Sequence, residues 1–387
     1  MSTLDALDFY DIKALLSDEE RLIQDTVARF VDRDVVPIIA DCFAAERFPV
    51  ELVPRLAELG LFGATLHGYG CPGLSYTAYG LVCQELERGD SSLRSCVSVQ
   101  SSLVMGCVDA CGSDEQRGRW LPDLARGSKL GCFALTEAHG GSDPARMRTR
   151  ARRRGGDWVL DGAKMWITNG ALADVAIVWA VAEDGVTGFV VERGTPGLTA
   201  QVIKNKLSLR ASSTAEVVLQ DVRVPDSARL PKADGLKAAL RCLDEARFGI
   251  AWGAIGAARS CIDTVLRYTE SRELFGRPLN QTQLVQTRLA ELVRKLTTMQ
   301  LVAWRLAKLK DAGAAKSAQI SLAKWHNVGA ALEIARECRD LLGAAGITLD
   351  HSPMRHMLNL ETVITYEGTE SIHELIVGRE LTGYSAF

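Results

Sequence analysis

The sequence lacks any run of about 18 apolar residues, so no membrane-spanning helix is expected. Its opening stretch, MSTLDALDFYDIKALL, has no basic start followed by a continuous apolar segment. The expectation is a cytoplasmic protein without a cleaved signal and without a membrane partner. No sign of charge dominates either. The 45 basic and 48 acidic side chains are interspersed and sum to a net charge of -3, which leaves no stripe or tail for nucleic acid. Ten cysteines form neither paired C-x-x-C units nor a dense framework, which points to reduced thiols rather than a disulfide scaffold. Six histidines show no H-E-x-x-H or comparable spacing, so no metal is expected. One local concentration of charge remains, Arg148, Arg150, Arg152, Arg153 and Arg154. The hairpin residues Gly155-Gly156-Asp157 follow at once, and the run reads as a solvated loop before a strand in preference to a phosphate or partner site.

What is present is enough apolar material, 47% of 387 residues, to bury two or three structural units. From residue 17 to about 125 apolar side chains recur at helical spacing, as in Leu22, Ile23, Val27, Phe30 and Val31, with Ser17 and Glu20 placed as a capping box. Between 131 and about 231 the texture changes to short β-branched and aromatic runs separated by glycine or aspartate turns. After Gly235 long helical patterns return, and Leu289, Leu292, Leu296, Met299, Val302, Leu306 and Leu309 mark one stripe. Helices, then strands, then helices exclude an alternating βαβ sheet; the fold class expected is α+β, in units of 1–130, 131–233 and 234–387. Gly68-Tyr69-Gly70-Cys71-Pro72-Gly73 fits G-x-G-x-x-G. It follows an amphipathic helix rather than a strand and contains proline, so it reads as a glycine-permitted loop.

The segment richest in chemistry is Tyr366-Glu367-Gly368-Thr369, where a carboxylate precedes a glycine and a hydroxyl residue ahead of a helical run. Alone it would serve equally well as a helix cap. With the isoleucine that follows, it resembles the catalytic segment of the acyl-CoA dehydrogenase family, in which the glutamate removes the α-proton of an acyl thioester. Glu367 stands at that position. The chemistry makes sense of a carboxylate there, because burial raises its pKa while donors to the thioester oxygen stabilise enolate charge, and the two acidities converge. In the family those donors are the base's own backbone amide and a ribityl hydroxyl of FAD, whose N5 receives the β-hydride.

Further segments carry the same resemblance in order. Phe133-Ala134-Leu135-Thr136-Glu137, Gly141-Ser142-Asp143 and Lys164-Met165-Trp166-Ile167-Thr168-Asn169 are similar to the family's flavin-facing β domain. The resemblance implies hydrogen bonds from Thr136 and Thr168 to the flavin, packing of Trp166 on it beside Phe133 and Leu135, and Ser142 along the flavin or the substrate's pantetheine. Arg272-Glu273-Leu274-Phe275-Gly276 and Gln283 are similar to residues that touch the flavin diphosphate and adenine of a neighbouring subunit. Arginine suits that task through paired phosphate contacts, although Arg272 alone reads as a helix-end surface charge. Gly343, Gly346 and Thr369 stand where the family approaches the cofactor, with Ala344 in place of a second glycine. Arg247 matches an arginine near the bound thioester, and a helix ion pair explains it equally well. Ala138-His139-Gly140 departs from the family pattern, and His139 reads as a tolerated loop substitution.

Within the family the stretch holding Glu87, Arg94 and Ser95, on to Met105, looks like the glutaryl-CoA dehydrogenase branch that decarboxylates. Most relatives take plain alkyl chains. A buried arginine at the end of an acyl pocket is costly without an anion and favourable with one. The resemblance therefore implies that Arg94 holds a distal carboxylate and that Glu87 and Tyr366 orient it. It further implies an N-terminal helical domain, a central β domain and a C-terminal four-helix bundle, a homotetramer with FAD, and electron-transferring flavoprotein as acceptor. Open alternatives are another acyl-CoA or a carrier-protein thioester, a non-decarboxylating enzyme, an oxygen-using oxidase, and a catalytically silent scaffold.

Overall fold

The computed structural model describes residues 7–386. The first six residues of the opening stretch, and the outer ends of the 1–130 and 234–387 ranges, lie outside the described residues. The first helices are α1 (Asp18–Phe30), α2 (Val36–Ala44) and α3 (Val53–Glu58), then α4 (Tyr76–Gly89), α5 (Ser91–Ser98), α6 (Gly106–Cys111) and α7 (Asp114–Ala125). The capping box is present: Glu20 N donates to Ser17 Oγ at 3.2 Å and Ser17 N to the Glu20 carboxylate at 2.8 Å. A wider π turn, Val99–Met105, joins α5 to α6.

The small strands β1 (His67–Gly68) and β2 (Cys71–Pro72) pair across the glycine-rich segment, with φ +54° at Tyr69 and +84° at Gly70. The segment expected to be a glycine-permitted loop is a short hairpin, and it follows α3 rather than a strand. The main sheet has seven strands: β3 (Gly131–Ala134), β4 (Arg150–Arg154), β5 (Asp157–Thr168), β6 (Val175–Ala182), β7 (Gly185–Glu192), β8 (Leu198–Val202) and β9 (Thr214–Pro225). Their order is β3-β6-β4-β5-β9-β8, with β7 on β6. The arginine run corrects the sequence reading. Arg150–Arg154 is itself strand β4, antiparallel to β5 through the Gly155-Gly156 turn, and Arg153 pairs with Asp226 at 2.8 Å. Strand pairing overrides the run's self-repulsion because Arg152, Arg153 and Arg154 all stay exposed and each meets an acid, Asp161, Asp226 and Asp221 respectively.

Helices return with α8 (Leu236–Ser271), α9 (Gln283–Asp311), α10 (Ser317–Leu341), α11 (Ser352–Val363) and α12 (Glu370–Thr382); a two-strand hairpin, β10 (Glu273–Leu274) and β11 (Arg277–Pro278), separates α8 from α9. The long stripe on α9 is realised, with Leu292, Leu296, Met299 and Leu306 buried. One apolar core joins α4 to this C-terminal bundle, and another joins the N-terminal helices to the inner face of β3 and β6. Helix α4 lies so close to α8 that a Cβ on Gly256 would sit 1.8 Å from the Gln84 carbonyl. That contact brings the end of α4 to the middle of the bundle. Among the described residues no helix is long and apolar enough to cross a membrane.

Candidate functional site

The turn from α4 to α5 sets one wall of the site. Asp90 caps α5 by accepting from Ser92 N at 2.8 Å, and its other oxygen accepts from Asn359 Nδ2 at 2.8 Å and from Arg355. So pinned, α5 turns Arg94 back on Glu87. Arg94 Nε donates to Glu87 Oε2 at 2.5 Å, Ser91 Oγ donates to Glu87 Oε1 at 2.8 Å, and Arg94 Nη2 donates to the Tyr366 hydroxyl. Burial opposes the charge on Arg94, but Glu87 outweighs it and holds the guanidinium firmly protonated. Both side chains are 0% exposed, and Arg94 Nη1 is buried with no partner. Ser95 is buried beside it on α5.

The opposite wall is the link between α11 and α12. Glu367 adopts φ +53° and Gly368 φ +103°. Glu367 Oε2 is buried and unpartnered. Burial pushes its carboxyl above the ordinary range, while the cations of Arg94, Lys324 and Arg247 pull it back. Arg247, on α8, donates from Nε to the Glu367 carbonyl at 2.7 Å and from Nη1 to Asp244 at 2.8 Å. The helix ion pair read from the sequence is present, and the same side chain reaches the Glu367 backbone. Thr369 caps α12 by accepting from Ile372 N at 3.3 Å.

A third surface belongs to the β domain. The register of β5 on β9 breaks between Lys164 and Ile167, which leaves Trp166 at φ +64° and 59% exposed. Met165 N donates to the Thr136 carbonyl at 2.8 Å, which ties Thr136 to the backbone beside Trp166; Thr168 ends β5, and Phe133 on β3 and Leu135 just after it are buried. Beneath it Glu137 accepts from Arg148 N, Thr149 N, Thr149 Oγ1 and Lys164 Nζ. Burial works against that carboxylate, but these donors win and hold it down at about 2. Ser142 and His139 lie in the exposed loop after β3, and His139 Nε2 comes within 3.5 Å of Glu137.

Other expected residues stand apart from Glu367. Arg272 is at the end of α8, 25 residues beyond Arg247 and so roughly 37 Å along the helix axis. It is exposed and makes no ion pair among the described residues, Phe275 at the neighbouring hairpin tip is 101% exposed, and Gln283 opens α9 in solvent. Gly343 (φ +59°) is exposed, and Gly346 is required by the chain itself, because a Cβ there would meet the Arg339 carbonyl at 2.1 Å. Sequence reasoning missed Lys324 and His373. Lys324, 1% exposed on α10, donates to the carbonyls of Tyr366 and Gly368, at 2.6 Å each. Its signal was a lysine inside the apolar stripe of Ile320, Ala323, Val328 and Ala331. Buried His373, pushed down to about 3 by burial, packs its ring against Gly368.

Family models for the acyl-CoA dehydrogenase N-terminal, middle and C-terminal domains match residues 17–128, 132–222 and 233–382. The mitochondrial short-chain specific acyl-CoA dehydrogenase of Bos taurus is 35% identical over 95% of this chain and 90% of its own length. A glutaryl-CoA dehydrogenase structure from Mycobacterium smegmatis is 55% identical, covers 100% of both chains and superposes with a TM-score of 0.98. A glutaryl-CoA dehydrogenase from the same organism, solved in complex with FADH2, is 52% identical with the same coverage and TM-score.

Proposed function

This chain belongs to the acyl-CoA dehydrogenase family, and we propose that its substrate is glutaryl-CoA, which it oxidises and decarboxylates to crotonyl-CoA and carbon dioxide. It is an FAD-dependent enzyme acting on the CH-CH bond of an acyl-CoA. The residues present fit the cofactor: the exposed Trp166 on its strand bulge offers an aromatic face, and the exposed Arg272, which makes no ion pair among the described residues, suits phosphate. Thr136, Thr168 and Trp166, with Phe133, Leu135 and Ser142 nearby, would hold the flavin ring. Gly343, Gly346 and Thr369 would line its approach, and Arg272, Phe275 and Gln283 would hold the diphosphate and adenine of a neighbouring subunit. When bound, FAD supplies the acceptor for the hydride that leaves the β-carbon.

The observation that carries the substrate reading is the buried, unpartnered Nη1 of Arg94. A guanidinium donor left unpaired in the interior is costly, and a substrate carboxylate would satisfy it. In this reading Arg94, held by Glu87 and Tyr366 and seconded by Ser95, grips the distal carboxylate. Glu367 takes the α-proton, with Arg247 and Thr369 fixing its loop. Oxidation places a double bond one carbon from the carbon that bears the carboxylate. Breaking that carbon–carboxylate bond releases carbon dioxide and leaves the electron pair in a conjugated dienolate. Glu367, now protonated, returns a proton to the far carbon.

A plain short-chain acyl-CoA is the second reading, favoured by the Bos taurus relative. The hairpin tip with its bare Phe275 supports a homotetramer in which subunits share flavin sites, and electron-transferring flavoprotein is the acceptor we propose. Anaerobic flavin bleaching separates the substrates. Glutaryl-CoA should bleach about 10- to 100-fold more efficiently than butyryl-CoA, the worth of a charged hydrogen bond. A preference for butyryl-CoA would refute the glutaryl reading.

A further inference from the structure

We propose that Lys324 is the positioning residue for the catalytic carboxylate: its ammonium bridges the carbonyls of Tyr366 and Gly368 and, together with Arg247, locks the backbone on both sides of Glu367. The inference rests on Glu367 being the base. The direction of its side chain depends on two backbone rotations, one on each side of its Cα. The peptide plane before that Cα carries the Tyr366 carbonyl, which Lys324 Nζ holds at 2.6 Å. The plane after it carries the Glu367 carbonyl, which Arg247 Nε holds at 2.7 Å. The next plane carries the Gly368 carbonyl, again on Lys324 at 2.6 Å. Three successive carbonyls of one short link thus end on two cations from two different helices, α10 and α8.

Such a clamp is needed because Glu367 stands at φ +53°, a conformation that a side chain with a Cβ adopts only where its surroundings impose it. A single ammonium suits the task. It is compact, offers three donors, and donates to two carbonyls at once, whereas a planar guanidinium reaching from the same Cα would be too long and too flat for the place. The cost is a cation that is 1% exposed. Burial pushes Lys324 down to about 7, Glu367 favours its charged form, and Arg247 and Arg94 oppose it. No carboxylate forms an ion pair with Lys324 among the described residues; its bonds go to the two carbonyls, and Glu367 acts on it only through its charge. Its position therefore serves the Glu367 link, and its charge also acts on the Glu367 carboxyl.

The groups facing that carboxyl are Arg94 from α5, Arg247 from α8, Lys324 from α10, and His373 from α12 beside Gly368, with Tyr366 adjacent and Glu87 and Asp244 behind the two arginines. Removing Lys324 takes one attractive cation away, so the pH midpoint of the proton abstraction should rise.

The test uses the FAD-loaded enzyme and follows anaerobic bleaching per bound FAD in a single turnover, so protein that fails to fold does not enter the rate. Lys324→Met keeps the volume and removes the donors. It should bleach about 100-fold more slowly, the loss that a displacement near 1 Å brings, with thioester affinity nearly unchanged and the pH midpoint raised. Lys324→Arg keeps the charge but not the fit, and should be slowed to a smaller degree. If the Met variant retains no FAD, the Arg variant decides. Bleaching at the wild-type rate and midpoint in whichever variant holds FAD would overturn the proposal. Glu367→Gln is the control for the underlying reading: should it bleach like wild type, the base assignment fails independently of Lys324.

Discussion

Glu87 and Arg94, seven residues apart in sequence, form an ion pair with 2.5 Å between Oε2 and Nε and no exposed surface on either side chain. Two charges removed from water in this way gain little net stability, because their attraction has to offset the desolvation of both. The pair is better understood through what it leaves over. Glu87 uses its two oxygens on Ser91 and Arg94, and Arg94 uses Nε and Nη2, so the Nη1 nitrogen is left without a partner in a buried site.

That geometry fixes the form of the specificity test. Arg94→Met alone would strand the Glu87 charge and damage the fold, so the informative protein is the double variant Glu87→Gln with Arg94→Met. Its bleaching by glutaryl-CoA should fall about 100-fold, while bleaching by butyryl-CoA should stay within about tenfold of wild type. Parallel stopped-flow measurements on the two thioesters read this, and equal losses would contradict a carboxylate role for Arg94.

The pH dependence of bleaching follows from the environment of Glu367. A base works in its ionised form, and burial has raised this carboxyl's pKa above its usual position despite three nearby cations. The rate should therefore be full at high pH and decline as pH falls through a midpoint above the ordinary glutamate value of about 4.5. A single-turnover profile with its midpoint below that value would show that the cations, not burial, dominate.

Close helix packing gives a prediction about stability. A Cβ at Gly253 on α8 would sit 2.0 Å from Glu87 Oε2 and 3.0 Å from Arg94 Nε, whereas one at Gly378 on α12 would meet nothing within 4 Å. Gly253→Ala should lower the unfolding free energy by about 1–3 kcal/mol, the usual effect of overpacking, and should impair glutaryl-CoA turnover. Gly378→Ala should be neutral or stabilising by up to about 1 kcal/mol. Urea unfolding of the two variants side by side checks the contrast, and equal midpoints would refute it.

Different features of this chain were legible in the sequence for different physical reasons. Element types follow from periodicity, which is why the α9 stripe and the Ser17–Glu20 box appear where the pattern puts them. The Glu367 link was visible because several unusual residues adjoin one another. Lys324 was not, since a lone lysine in a helix looks like surface charge until its neighbours on the same stripe are found buried. The arginine run was misplaced because charge favours solvent but does not say whether the backbone is loop or edge of a ladder. Gly346 has a reason inside the chain that the sequence did not show, because a Cβ there would meet the Arg339 carbonyl at 2.1 Å. Arg272, Phe275 and Gln283 lie far along the chain from the Glu367 link, and their exposure within one chain is what a shared site would leave.

The central claim is oxidation with loss of carbon dioxide, and product analysis tests it most directly. Enzyme supplied with glutaryl-CoA and an artificial electron acceptor should yield crotonyl-CoA and carbon dioxide in equal amounts, measured by chromatography and by release of label from the distal carboxyl carbon. Glutaconyl-CoA accumulating with the label retained would contradict the account.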